Sequence, residues 1–278
     1  MFDRPSAYHS SQLRYELTTR NYQWAKRYAL THALTYGHPP CVIYAPDERG
    51  RHGNFLDASY KEMLRNPAWE RRMQKVFTQG RRSLPAADRR WRELDSAHSS
   101  DALLMNIFCH PRTLETRAVR LLLGIDVACT AEFGVRVRVP FKDGKADRTE
   151  VDLALGELLI EAKLTESNFQ TAPHRLLQRY RDLDEVFDVG LLPATESTVF
   201  CYQLIRGALA AFAQQGSFCV LADARRPDLV EAWYLVMRAV LPVDLRHRLK
   251  LLTWQELFEA LPAELQSFLA GKYGIVPG

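Results

Sequence analysis

The sequence predicts an α/β fold, with a mixed central sheet flanked by helices and a helical, basic N-terminal region ahead of it. Three observations carry this. Residues 150–164 read as two apolar strands around a Gly-Glu pair, which is a β-hairpin pattern. Residues 218–253 read strand, helix, strand, a unit that makes a parallel pair. Residues 12–36 place Leu13, Leu17, Trp24, Tyr28 and Leu34 at helical spacing.

The remaining elements follow in chain order. Gly37-His38-Pro39-Pro40 ends the first helix, and 41–44 is a short apolar strand. Residues 45–55 form a Gly- and charge-rich loop, 60–79 are helical with an interruption near Pro67, and 80–95 are basic and irregular. Residues 100–108 and 111–123 read as helices, with Thr113 as a cap for the second. Residues 133–141 alternate Val135, Val137 and Val139 against Arg136 and Arg138, a strand pattern that Asp143-Gly144-Lys145 would end in a turn. Helices are expected at 173–186 and 197–214, the second with Tyr202, Gln203 and Arg206 on one face. A strand at 218–222, a helix at 227–240 and a strand at 248–253 come next, then short helices at 254–261 and 264–270.

Composition excludes several classes. With 278 residues, 47% hydrophobic and 25% charged, the chain has an ordinary globular balance. No apolar run approaches the roughly 20 residues that cross a bilayer, and Met1-Phe2-Asp3-Arg4-Pro5 lacks the apolar core of a signal peptide. The five cysteines form no Cys-x-x-Cys pair, so reduced thiols in a cytoplasmic protein are expected, without a zinc site. No His-x-x-x-His, Gly-rich phosphate loop or Gly-x-Ser-x-Gly elbow occurs.

Charge is uneven. Residues 1–100 hold 17 basic and 10 acidic side chains, and the rest hold 20 and 23, so the net +4 is a sum of +7 and −3. Arg71, Arg72, Lys75, Arg81, Arg82, Arg89, Arg90 and Arg92 crowd one stretch, interleaved with Trp69, Phe77 and Trp91. Arginine forks suit phosphate oxygens and rings stack on bases, so this stretch is a candidate nucleic-acid contact. The competing reading is a solvated face with its tryptophans in the core.

The hairpin concentrates the chemistry. With Gly156-Glu157 as a type II′ loop, Leu155 faces Leu158, Asp152 faces Glu161 and Glu150 faces Lys163. Opposed residues lie about 5 Å apart. Glu150, Asp152, Glu161 and Lys163 then share a polar face, where alanine changes would spare the fold. Two carboxylates this close repel unless a cation sits between them. A Mg²⁺ held by one or two carboxylates, waters and a substrate phosphate meets that need. The alternative is a merely solvated sheet face.

Asp152 followed by Glu161-Ala162-Lys163 on the next strand resembles the PD-(D/E)xK nuclease superfamily, the restriction-endonuclease-like fold. The string Ile160-Glu161-Ala162-Lys163-Leu164-Thr165-Glu166, the block at 99–108 and Tyr202-Gln203-Leu204-Ile205-Arg206 look like one bacterial branch of it, over about residues 93–255. The resemblance implies Asp152, Glu161 and the Ala162 carbonyl as metal ligands and Lys163 as the catalytic lysine; Glu115, on the expected 111–123 helix, is either an additional ligand or merely exposed. It implies a domain of 93–278 behind a helical basic region of 1–92. Two departures stand: Val151 replaces the proline of the name, and Gln178 and Tyr180 miss the Gln-x-x-x-Tyr spacing of exonuclease members.

The expected activity is therefore Mg²⁺-dependent DNA phosphodiester hydrolysis, with Mn²⁺ substituting. An endonuclease of restriction, repair or defence is expected, with DNA as partner and no membrane. Arg81, Arg82, Arg89, Arg90, Gln203 and Arg206 are the candidate nucleic-acid contacts, with Arg206 either on a phosphate or packed against the carboxylates. A homodimer, a non-catalytic binding protein on the same fold and an RNA nuclease stay open.

Overall fold

The central sheet has five strands, in the order Leu249–Thr253, Ser217–Ala222, Leu158–Ala162, Glu150–Leu155 and Ala131–Arg136. This is a computed structural model, and it describes residues 4–77, 85–126, 129–148 and 150–278. The first three strands run parallel and the last two antiparallel to their neighbours, so the sheet is mixed, as expected. Gly156 takes φ +59°, and Glu157 is not among the residues of positive φ, which matches the type II′ turn. A Cβ on Gly156 would meet nothing within 4 Å, so the turn needs its backbone freedom and not its small size.

Helix Tyr202–Gln214 packs on the sheet face that carries Leu159, Phe218 and Val220. The approach is close: a Cβ on Gly207 would sit 2.3 Å from the Phe218 ring. Helices Pro227–Met237 and Val243–Arg248 contribute Leu229, Trp233, Val236 and Leu245 to the same core. The opposite face is equally apolar, with Leu153, Leu155, Ile160 and Leu221 all buried.

The chain forms two compact units, one of Met1–His9 with Cys129–Thr253 and another of Ser10–Ala128 with Trp254–Gly278. The boundary expected near residue 92 thus falls at the sheet's own edges, because helices Ser100–Phe108 and Trp254–Ala260 pack with the N-terminal unit. Among the described residues no helix is long and apolar enough to cross a membrane.

Several elements differ from expectation. The first helix is Arg4–Arg27, and at Ala29 (φ +50°) the chain leaves it for strand His32–Leu34. That strand pairs with the buried Val42–Tyr44, a tertiary gain that outweighs helical spacing. The helical expectation for 60–79, of which 78 and 79 lie outside the described residues, is met by helices Asp57–Arg65 and Pro67–Met73, with Asn66 capping Ala68 and Trp69 and Pro67 in the first turn where its missing N–H costs nothing. Thr113 is buried in a turn, and helix Arg117–Leu123 starts after Thr116 instead. The 173–186 helix is two single turns, His174–Leu177 and Leu183–Val186. The 197–214 helix is preceded by strand Thr198–Phe200, which pairs with Thr171–Pro173.

Candidate active site

The hairpin opens at its acidic end. Ladder pairing stops at Leu153 and Ile160, and the Ala162 N–H instead donates to the Asp152 carboxylate, 2.8 Å to Oδ2. The next residues of each strand, Asp152 and Glu161, thereby lie where the ladder has parted. Lys163 Nζ stands 2.6 Å from Glu161 Oε1. Gln203 Nε2, from the helix above, donates to the same oxygen at 2.6 Å. Asp152, Glu161 and Lys163 are therefore brought together as the sequence predicts.

The setting is not the solvated face of the competing reading. Glu161 is 2% exposed and Lys163 5%, because helix Tyr202–Gln214 roofs this side of the sheet. Burial pulls the Lys163 ammonium down, but Glu161, Glu166 and Asp152 together outweigh it and hold the pKa above the ordinary lysine range. Lys163 is thus a fixed positive charge at neutral pH. The expectation that alanine changes here spare the fold fails for Glu161 and Lys163. Removing Lys163 leaves the buried Glu161 without its counter-charge, and removing Glu161 takes from the buried Lys163 its nearest carboxylate.

The donor set suits a divalent cation. Both hydrogen bonds to Glu161 fall on Oε1, which leaves Oε2 for a ligand role. Gln203 Oε1, on the amide whose Nε2 holds Glu161, is buried with no hydrogen-bond partner among the described residues. Among the described residues no three His, Cys, Asp or Glu side chains gather as a metal group, so a cation here would lean on two carboxylates and on waters or phosphate. Glu115 belongs to the other unit, where it is exposed in a turn ahead of helix Arg117–Leu123 and not within a helix.

Other candidates fare unevenly. Arg206 is fully buried and donates to the Glu150 carbonyl at 2.9 Å, so it anchors the roof helix to the hairpin and is no open phosphate contact. Arg81 and Arg82 lie outside the described residues. Arg89 and Arg90 are exposed on the short turn Ala86–Arg90. Arg72 and Lys75 are instead engaged with the buried Asp101, Arg72 Nη2 at 3.0 and 3.1 Å and Lys75 Nζ at 2.6 Å. Phe77 and Trp91 are core residues beside Tyr44, and Trp69 is half-buried, so the interleaved aromatics do not form an open stacking row.

Two residues near the site had no role assigned from sequence. Glu166 adds negative charge beside Lys163 and accepts the Leu164 N–H at 2.7 Å. Arg226 is fully buried and donates to the carbonyls of Leu164, Glu166 and Ser167 while paired with Asp228. It clamps the segment that follows Lys163. Its position, just past the carboxyl end of the neighbouring parallel strand, was the available signal, since that end of an α/β sheet is where sites gather.

The family described as Restriction Endonuclease associating with ARP matches residues 19–274. The chain belongs to this family. No curated protein and no solved structure matches it. Family membership makes it a restriction-endonuclease-like protein, and the match spans both compact units.

Proposed function

We propose that this chain is a metal-dependent nuclease of the PD-(D/E)xK type that hydrolyses DNA phosphodiester bonds as an endonuclease. The observation that carries the reading is the convergence of Asp152, Glu161 and Lys163 at the parted end of the hairpin, with Lys163 Nζ 2.6 Å from Glu161. The restriction-endonuclease family name supports it, and that name also speaks of association with ARP.

Asp152, Glu161 and the Ala162 carbonyl would hold Mg²⁺ or Mn²⁺, which when bound supplies Lewis-acid neutralisation of the scissile phosphate and acidifies a water. Asp152 is aimed by the Ala162 N–H, and Glu161 by Lys163 and Gln203. Lys163, protonated at neutral pH, cannot accept a proton. It acts as a preorganised charge toward the phosphate oxygens, where negative charge builds in the transition state.

The test is cleavage of supercoiled plasmid, linear duplex, single-stranded DNA and RNA with Mg²⁺, Mn²⁺ or EDTA. Wild type should cut DNA only with metal. Asp152→Asn, Glu161→Gln and Lys163→Met, each shown folded by circular dichroism, should each lose about 100- to 1000-fold in rate. Cleavage in EDTA, or equal cleavage by all three variants, sinks the mechanism. Cleavage of RNA alone replaces the substrate, and no cleavage at all by wild type favours a binding protein on this fold.

A further inference from the structure

The N-terminal unit contains a second place where chemistry gathers. A cavity of about 460 Å³ opens there, within the size range of small-molecule sites. Its apolar wall includes the rings of Tyr44, Tyr60 and Trp91, all buried. Its charged groups are the Asp95 carboxylate and the side chains of Arg90 and Arg92, both exposed, and Thr31, His32 and His52 add further polar groups to the lining.

Asp95 is held by a hydrogen-bond relay. The Asn54 N–H donates to His52 Nδ1 at 3.2 Å, which makes that nitrogen the acceptor and puts the ring proton on Nε2. His52 Nε2, on a buried ring, then donates to Asp95 Oδ1 at 3.1 Å. The Arg92 N–H donates to Oδ2 at 3.0 Å. Each carboxylate oxygen thus has one bond within the protein and a further lone pair to offer. The Asp95 side chain is 18% exposed, so a ligand in the cavity can reach it. Its charge is felt on the cavity wall: burial first, then Asp95, pushes the Tyr60 phenol up, while Arg92 draws it back.

A ligand matched to this wall is flat and aromatic, presents two adjacent N–H donors to a fixed carboxylate, and carries an anionic group for two arginines. Guanine meets all three conditions when its sugar bears phosphate. Its N1–H and N2–H lie side by side, whereas adenine, cytosine and uracil set an acceptor next to any donor. We propose that this cavity is a nucleobase site that reads guanine through Asp95, with Arg90 and Arg92 on the adjoining phosphate. The inference rests on the nuclease reading for one thing only, the origin of the base in a nucleic-acid strand, from which it would have to be unstacked.

Calorimetry on the full chain tests it, using guanosine, adenosine, cytidine and uridine monophosphates and short single-stranded DNA with and without a guanine. Guanosine monophosphate should bind at least about tenfold more tightly than the other three, the discrimination expected of a bidentate pair. Asp95→Asn should erase that preference. Ala45→Trp, at an exposed rim position, should block binding without touching the core. Tighter binding of the guanine-bearing strand than of the mononucleotide assigns the base to nucleic acid, and equal binding assigns it to a free nucleotide. No binding of any probe, or binding indifferent to Ala45→Trp, overturns the site. A wild type that cuts DNA but binds no probe removes this inference alone, and one that binds without cutting removes the nuclease reading alone.

Discussion

Two lysines, one in each unit, are equally hidden from water and electrostatically opposite. Lys163 sits beside Glu161 with Asp152 and Glu166 near, and its pKa is raised. Lys272 is fully buried between the Tyr44 and Tyr273 rings, donates to Asn21 Oδ1, and has its pKa pushed well down by burial. Burial alone drives an ammonium neutral, and neighbouring carboxylates reverse the outcome. Lys163 lies at the parted end of the hairpin, and Lys272 closes a packed core. Between these two buried lysines, the partners and not the depth decide the direction of the shift.

The largest effect should come from breaking the charged pair. Lys163→Ala leaves Glu161 buried without its counter-charge and should cost about 3–5 kcal/mol in urea unfolding. The double change Glu161→Gln with Lys163→Met should cost clearly less, since no bare charge remains. Equal losses would mean that packing, and not charge pairing, holds this end of the sheet.

Lys272→Met should act the other way, stabilising the fold by about 1–2 kcal/mol at pH 7. Asn21 Oδ1 still accepts from the Tyr44 hydroxyl, at 3.1 Å, so the change orphans nothing there. The pH dependence separates the two lysines. Lys163, raised in the folded chain, contributes stability below about pH 10.4 that is lost as pH climbs through its folded value. Lys272, lowered in the folded chain, takes up a proton on unfolding at pH values between its folded value and about 10.4. Its cost therefore shrinks as pH rises from its folded value toward about 10.4, and the gain from Lys272→Met should shrink with it. A gain that is constant with pH would show Lys272 to be charged in the folded chain.

The smallest expected effect is at Tyr44. Tyr44→Phe should cost about 1 kcal/mol alone, a single buried hydrogen-bonding group. In the Lys272→Met background it should cost more, because Asn21 Oδ1 then loses both donors. Strict additivity would deny that the two groups share that acceptor.

The hairpin was legible because its signals are local. A glycine at the turn, alternation on either side and three charged residues at fixed offsets decide register without help from distant chain. The short elements were not. The strand at His32–Leu34 exists because Val42–Tyr44 offers it a partner, and helix Tyr202–Gln214 begins where it does because Cys201 takes φ +58° between it and a strand paired to Thr171–Pro173. The basic stretch misled for a related reason. Arginine and tryptophan look alike in a list whether they face water, pair with a buried Asp101 or line a core.

The sequence by itself determined the kind of sheet, the turn, the register of the acidic strands and the three residues that meet at their end, all consequences of side-chain alternation over a few residues. Only the tertiary structure decided that Glu161 and Lys163 are buried and not solvated, that helix Tyr202–Gln214 brings Gln203 to Glu161 and Arg206 to the Glu150 carbonyl, and that the second unit closes with the C-terminal helices. The physical reason is that burial, and the charge state that follows from it, belongs to whatever segment lands on top, which no local pattern records.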